Sequence, residues 1–118
     1  MYLIKFTDEG LADVARLQKH EKNFLKKEIK KRLEVDPMGN SLELSGTLKD
    51  YRSAHIENYR VVFKVYEDLM ALAIVGIGKH DADAKRDIYK KLGALVSQGD
   101  FAERVLLTLK GFTSPPSR

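Results

Sequence analysis

The chain has 118 residues, 43% of them hydrophobic and 32% charged, which is the composition of one compact soluble domain rather than a disordered segment. It contains no cysteine, so disulfides and thiolate metal sites are excluded and a reducing compartment is expected. The formal net charge of +4 is a mild basic excess of the kind that suits nucleic acid or an acidic protein partner.

The opening "MYLIKFTDEG" lacks the apolar core of a signal peptide, and the longest apolar run, Leu69 to Gly78, is about half of the roughly 20 residues that a spanning helix needs. A cytoplasmic protein with no membrane partner is expected. "YLIKF" (Tyr2 to Phe6) is a run of strand formers. Thr7, with Asp8 and Glu9 behind it, is a helix start, with acids near the positive end of the helix dipole. The first helix is expected to bury Leu11, Val14, Ala15 and Leu17, with His20 near its end. A second follows, with Phe24, Leu25, Ile29 and Leu33 inward and most of the lysines of "KHEKNFLKKEIKKR" elsewhere. "DPMGN" (Asp36 to Asn40) ends it.

From Leu48 the period changes to two. "KDYRSAHI" is a strand, "EN" a tight connection, and "YRVVFKVYE" a strand with Tyr59, Val61, Phe63 and Val65 on one face and Arg60, Val62, Lys64 and Tyr66 on the other. "LMALAIVGI" is apolar at nearly every position, as a strand buried on both faces must be. Strands joined this closely pair antiparallel, since a parallel crossover needs about a dozen or more residues. "RDIYKKLGALV" (Arg86 to Val96) and "DFAERVLLTLKGF" (Asp100 to Phe112) are helical, and "TSPPSR" has the composition of a frayed end. The fold class is α+β: a small antiparallel sheet packed with an N-terminal helical hairpin and C-terminal helices.

The stretch "VGIGKHDADAKRDIY" (Val75 to Tyr89) gathers most of the reactive groups. Its "HDAD" resembles the start of a calcium loop, but Lys85 and Arg86 stand where a further acid and a glycine belong. Zinc needs further His or Cys at fixed spacing. No metal and no cofactor are expected. Neither Ser41 nor Ser45 lies in a nucleophile-elbow context, and "GIG" is not a dinucleotide loop. What remains is a cationic cluster with a phenol: Lys79, His80, Lys85, Arg86 and Tyr89, with Arg52, His55 and Arg60 on the preceding strands. One reading is a solvated loop beside exposed strand ends. The other is a phosphate site, because cleaving RNA through its own 2′-hydroxyl needs cations to hold the phosphate and groups to move a proton. Tyr89 or Tyr66 can also stack on an unpaired base.

The stretch "LSGTLKDYRSAHIENYRVVFKVYEDLMALAIVGIGKHDADAKRDIY" resembles the RelE/ParE superfamily of toxins from type II toxin–antitoxin modules. The resemblance rests on the L-x-G opening, the "YRVVFKV" strand, and an ending in glycine, two basic residues and a later Tyr. It covers a core of 2–92 within one domain of 1–112, leaving 93–112 as a helical extension and 113–118 as a tail. It implies a small antiparallel sheet flanked by helices and, on the RelE side, metal-independent endoribonuclease action on mRNA at the ribosome, which inhibits translation. It assigns catalysis to Arg60, His80 and Tyr89, and RNA or phosphate binding to Arg52, His55, Lys79 and Arg86. On the ParE side it implies inhibition of DNA gyrase instead, and a degenerate member would only bind its antitoxin. Each implies a cognate antitoxin as partner. Ser53 and His55 stand where ribosome-dependent members often carry Lys or Arg, and "DADAK" is expected to lengthen the loop before Tyr89.

Overall fold

The structure is a computed structural model that describes residues 1–79 and 82–111, with the side chains of 82–87 outside that description. Its elements run β1 (Leu3–Phe6), α1 (Asp8–Ala15), α2 (Lys19–Leu33), β2 (Leu42–Glu43), β3 (Arg52–Ile56), β4 (Tyr59–Tyr66), β5 (Ala71–Lys79), α3 (Ala82–Val96) and α4 (Phe101–Leu109). The five strands form one sheet in the order β1-β5-β4-β3-β2. The pairs β2–β3, β3–β4 and β4–β5 are antiparallel, and β1 lies parallel to β5 at one edge. That parallel pairing is possible because β1 and β5 are far apart in sequence. This is the expected α+β fold, with one short strand, β2, that the sequence does not announce. No helix among the described residues is long and apolar enough to cross a membrane.

Both faces of the sheet are covered. Val61, Phe63, Leu72, Ile74 and Ile77 pack with Val14 of α1 and Leu25, Ile29 and Leu33 of α2. Val62, Ala71, Ala73 and Val75 pack on the other side with Ile88 and Leu92 of α3 and Phe101, Val105 and Leu109 of α4. Facing pairs shift register between Val62–Gly76 and Phe63–Ile74, which leaves Val75 as the extra residue of a β-bulge. The bulge puts Val75 and Gly76 on the same face, since an added Cβ at Gly76 meets Ile88 of α3 at 3.3 Å. Every residue of β5 beyond it therefore has its face reversed.

α1 departs from expectation. Leu11 is 52% exposed and Ala15 is exposed, while Gly10, Asp13 and Val14 turn inward. The reason is close approach. A Cβ on Gly10 would lie 2.4 Å from the Ile74 carbonyl oxygen, so the helix sits on β5 at its glycine and rotates Leu11 outward. Thr7 fixes this seat: its hydroxyl donates to the Ile74 carbonyl at 3.0 Å and accepts from the Gly10 N–H at 3.1 Å, the expected N-cap. Asp13, buried without a sequence signal, accepts from the Ile77 N–H at 2.9 Å and pairs with Lys91 of α3 at 3.4 Å. α2 buries Leu25, Ile29 and Leu33 as expected and leaves Phe24 38% exposed; His20 lies in its first turn, exposed. Within the loop expected at "DADAK", the backbone is helical from Ala82, where α3 begins.

Gly10→Ala should cost about 1–3 kcal/mol, the usual range for forcing an extra carbon into a packed contact. Urea unfolding measures it; a loss under about 0.5 kcal/mol would show that α1 moves away freely.

Candidate functional site

Strand alternation builds a cleft on the α3 side of the sheet. Arg60 of β4 pairs with His55 of β3 on one side and with Gly78 of β5 on the other, so the guanidinium has an imidazole as one neighbour and no side chain as the other. Ser53 lies two residues before His55 on the same face. Tyr89 of α3 comes over them, its phenol donating to the Ser53 hydroxyl at 3.3 Å. These four line a cleft of about 550 Å³ whose opposite wall is the continuous segment Gly39 to Ser45. That volume lies in the range of small-ligand sites. Nε of Arg60 is buried and has no hydrogen-bond partner among the described residues. A buried donor left unpaired costs free energy, so the group is poised to accept an anion.

The other candidates separate. Arg52 faces away from the cleft: its guanidinium donates to the Ser41 hydroxyl at 2.7 Å and to the carbonyls of Ser41 and Met38 at 3.2 and 3.3 Å, and pairs with Glu43 at 3.6 Å. Lys79 is exposed and pairs with Tyr59 on the α2 face, because the bulge at Val75 reverses the end of β5. Beside it the Tyr59 phenol donates to the Glu21 carboxylate. That bond, helped by the Gln18 N–H and the charge of Lys79, lowers the Glu21 pKa; it also pushes Tyr59 up to about 12. His80 and the side chain of Arg86 lie outside the described residues, as do Asp81, Asp83 and Asp87 of the calcium-like stretch. Among the described residues no three His, Asp or Glu side chains gather as metal ligands.

Residues 4–84 match the family described as the ParE toxin of the type II toxin–antitoxin system parDE. The chain belongs to that family. The fold is shared with solved toxins of the RelE kind. The toxin–antitoxin complex RelBE2 from Mycobacterium tuberculosis aligns with TM-score 0.65 at 18% identity, covering 67% of this chain and 91% of that one. The intact RelBE complex of E. coli aligns with TM-score 0.56 at 20% identity over 70% and 100%, and the isolated E. coli RelE toxin with TM-score 0.56 at 20% over 78% and 99%. No curated protein matches the sequence.

Two features escaped the sequence. Ser53 was not singled out as a site residue, and nothing marked "GNSLELS" as a wall of the toxin's cleft, because only tertiary contacts bring it to Arg60. The α3–α4 face also carries a ladder of rings and cations. Lys64 lies 5.0 Å from the Tyr66 ring centre and 5.8 Å from that of Tyr51, Tyr51 stacks on Phe101 at 6.3 Å, and Arg104 lies 5.3 Å from the Phe101 ring. Tyr66 packs against this core with its hydroxyl buried, and it does not line the cleft.

Burial pushes Tyr51 and Tyr66 up to about 12, with the charge of Asp50 adding to each. Together with Tyr59, these phenols stay protonated in the folded toxin where those of the unfolded chain ionise, near about 10. The folded state then holds more protons, so stability present below pH 10 is lost as pH rises towards about 12. An ultraviolet titration should show three late phenols, one of them removed by Tyr59→Phe. Native phenols that all ionise near pH 10 would refute this.

Proposed function

We propose that this toxin is a metal-independent endoribonuclease that cuts translated mRNA at the ribosome and so blocks translation. The observation that carries the reading is the buried Nε of Arg60, without a partner among the described residues, in a cleft shared with His55 and Tyr89. Arg60 holds the scissile phosphate and stabilises the charge that builds on its oxygens. The 2′-oxygen attacks phosphorus and the bond to the 5′-oxygen breaks, leaving a 2′,3′-cyclic phosphate and a 5′-hydroxyl. One proton must leave the 2′-hydroxyl and one must reach the 5′-oxygen. His55 and His80 carry the imidazoles that exchange them, and Tyr89 orients the 2′-hydroxyl. The chemistry calls for no cofactor.

A second reading is inhibition of DNA gyrase, favoured by the ParE family match and by the placement of Arg52 and Lys79 away from the cleft. Both readings include a cognate antitoxin in the cytoplasm, as the RelBE2 and RelBE structures are toxin–antitoxin complexes. Lys19, Lys26, Lys27, Lys30 and Lys31 of α2 are exposed and form no ion pair among the described residues, so an acidic antitoxin segment would find uncompensated charge there.

Purified toxin added to a reconstituted translation mixture, with cut sites mapped by primer extension and gyrase supercoiling assayed alongside, separates the readings. Arg60→Ala should lower cleavage by about 10²–10³-fold, the usual cost of losing one transition-state donor. Tyr89→Phe should lower it by at least about tenfold. Blocked supercoiling with intact mRNA would overturn the nuclease reading in favour of gyrase. Antitoxin binding with neither activity would leave a degenerate toxin.

A further inference from the structure

The cleft has two walls of different chemistry. One carries Arg60, His55, Ser53 and Tyr89; the other, Gly39 to Ser45, offers small polar groups and leucines. We propose that this second wall is a nucleobase site with Leu42 as its platform, and that Arg52 is the positioning residue that holds it. This rests on the nuclease reading, and it assigns the wall the base beside the phosphate held by Arg60.

Leu42 is the feature without another explanation. It pairs with Ser53, so it shares the cleft face of the sheet, and it is 78% exposed, while its neighbour on that face, Leu44, packs into the core. An exposed leucine alone is ordinary. Here it lies in the same cleft as Arg60 and Tyr89, where an unstacked base needs an apolar surface to replace its stacking partner. The largest surface is gained by a purine.

The wall is also built to stay in place. Gly39 N–H donates to the Asp36 carboxylate at 2.9 Å, the Asn40 amide donates to the carbonyls of Asp36 and Arg32 at 2.9 and 3.1 Å, and the Ser41 hydroxyl donates to the Pro37 carbonyl at 2.6 Å. Arg52 locks the result from behind through Ser41 and Met38. Its remaining contact is Glu43, the only acid lining the cleft among the described residues, which pairs with Arg52 on the far face of β2. Arg52 therefore fixes the wall and also draws the carboxylate away from the side an RNA phosphate would approach. A lysine lacks the planar fork that makes these contacts together.

The test uses ribosomes programmed with mRNAs that place adenine or uracil beside the cut. Leu42→Ser should raise KM about tenfold, within the range for losing the burial of one leucine side chain, and flatten the purine preference, with kcat within about threefold. Leu42→Met should restore both. Arg52→Gln should raise KM and flatten preference in the same way. A fall in kcat with KM and preference unchanged, in either Leu42→Ser or Arg52→Gln, would overturn the proposal and leave the wall a structural element. Amide NMR keeps the outcome independent of catalysis. Adenosine 3′-monophosphate should shift Gly39 to Ser45 as well as Arg60, and inorganic phosphate should shift Arg60 alone, even if the wild-type toxin cuts no RNA. Absence of nucleotide shifts in that segment, or their persistence in Leu42→Ser, would refute the base site, whereas absent cleavage with those shifts present would refute only the nuclease.

Discussion

β5 is the constraint on which the rest of the toxin depends. From Ala71 to Ile77 it is buried on both faces, so two layers of helices are needed to keep it from water. Full burial of a side chain such as Leu72 or Ile74 is worth about 1.5–3 kcal/mol, and neither layer can be lost without exposing several of them. The small residues decide how closely each layer sits. Gly10 lets α1 touch the Ile74 carbonyl, and Gly76 leaves room for Ile88 of α3. Asp13 then ties all three layers together, since its carboxylate binds the β5 backbone and Lys91 of α3.

The bulge in β5 carries that packing constraint into the site. Without the extra residue at Val75, alternation would put Lys79 on the cleft face; with it, Gly78 lies beside Arg60 and Lys79 faces α2. Alternation in β3 has the same effect on Arg52, one residue from Ser53 and therefore on the opposite face. Of the cations proposed from sequence, Arg60 is the one the described residues place in the cleft. That its Nε has no partner among the described residues follows from that isolation, because Gly78 offers no side chain to satisfy it.

Much of the fold was legible because the patterns were local. The face containing Tyr59, Val61, Phe63 and Val65 and a doubly buried strand over Leu69 to Ile77 came from period and hydropathy, as did the cap at Thr7, although Leu69 and Met70 are exposed and the buried run starts at Ala71. The other failures depend on tertiary contacts that no local pattern encodes: Leu11 points outward because of an approach at Gly10. The helical start at Ala82 falls in a run that looked like a loop. β2 is two residues long and exists because Leu42 and Glu43 meet β3. The pairing of His55 with Arg60 followed from the two-residue connection, whereas the wall from Gly39 to Ser45 did not follow from anything in its own composition.

Among the described residues the cleft holds few cations, and that limits how the proposed reaction can work. One guanidinium can hold one phosphate, and an exposed strand of RNA screened by salt gains little more from charges on the far face, such as Lys79 or the α2 lysines. The substrate must then be held largely by something other than local charge: contacts to a base, or a ribosome that presents the mRNA already extended. Proton transfer is affected in the opposite sense. A site crowded with Lys and Arg stabilises the phosphate but offers little to carry protons, whereas here an imidazole, His55, stands beside Arg60. Exchanging cations for an imidazole thus trades affinity for proton transfer, which is affordable only where positioning comes from elsewhere.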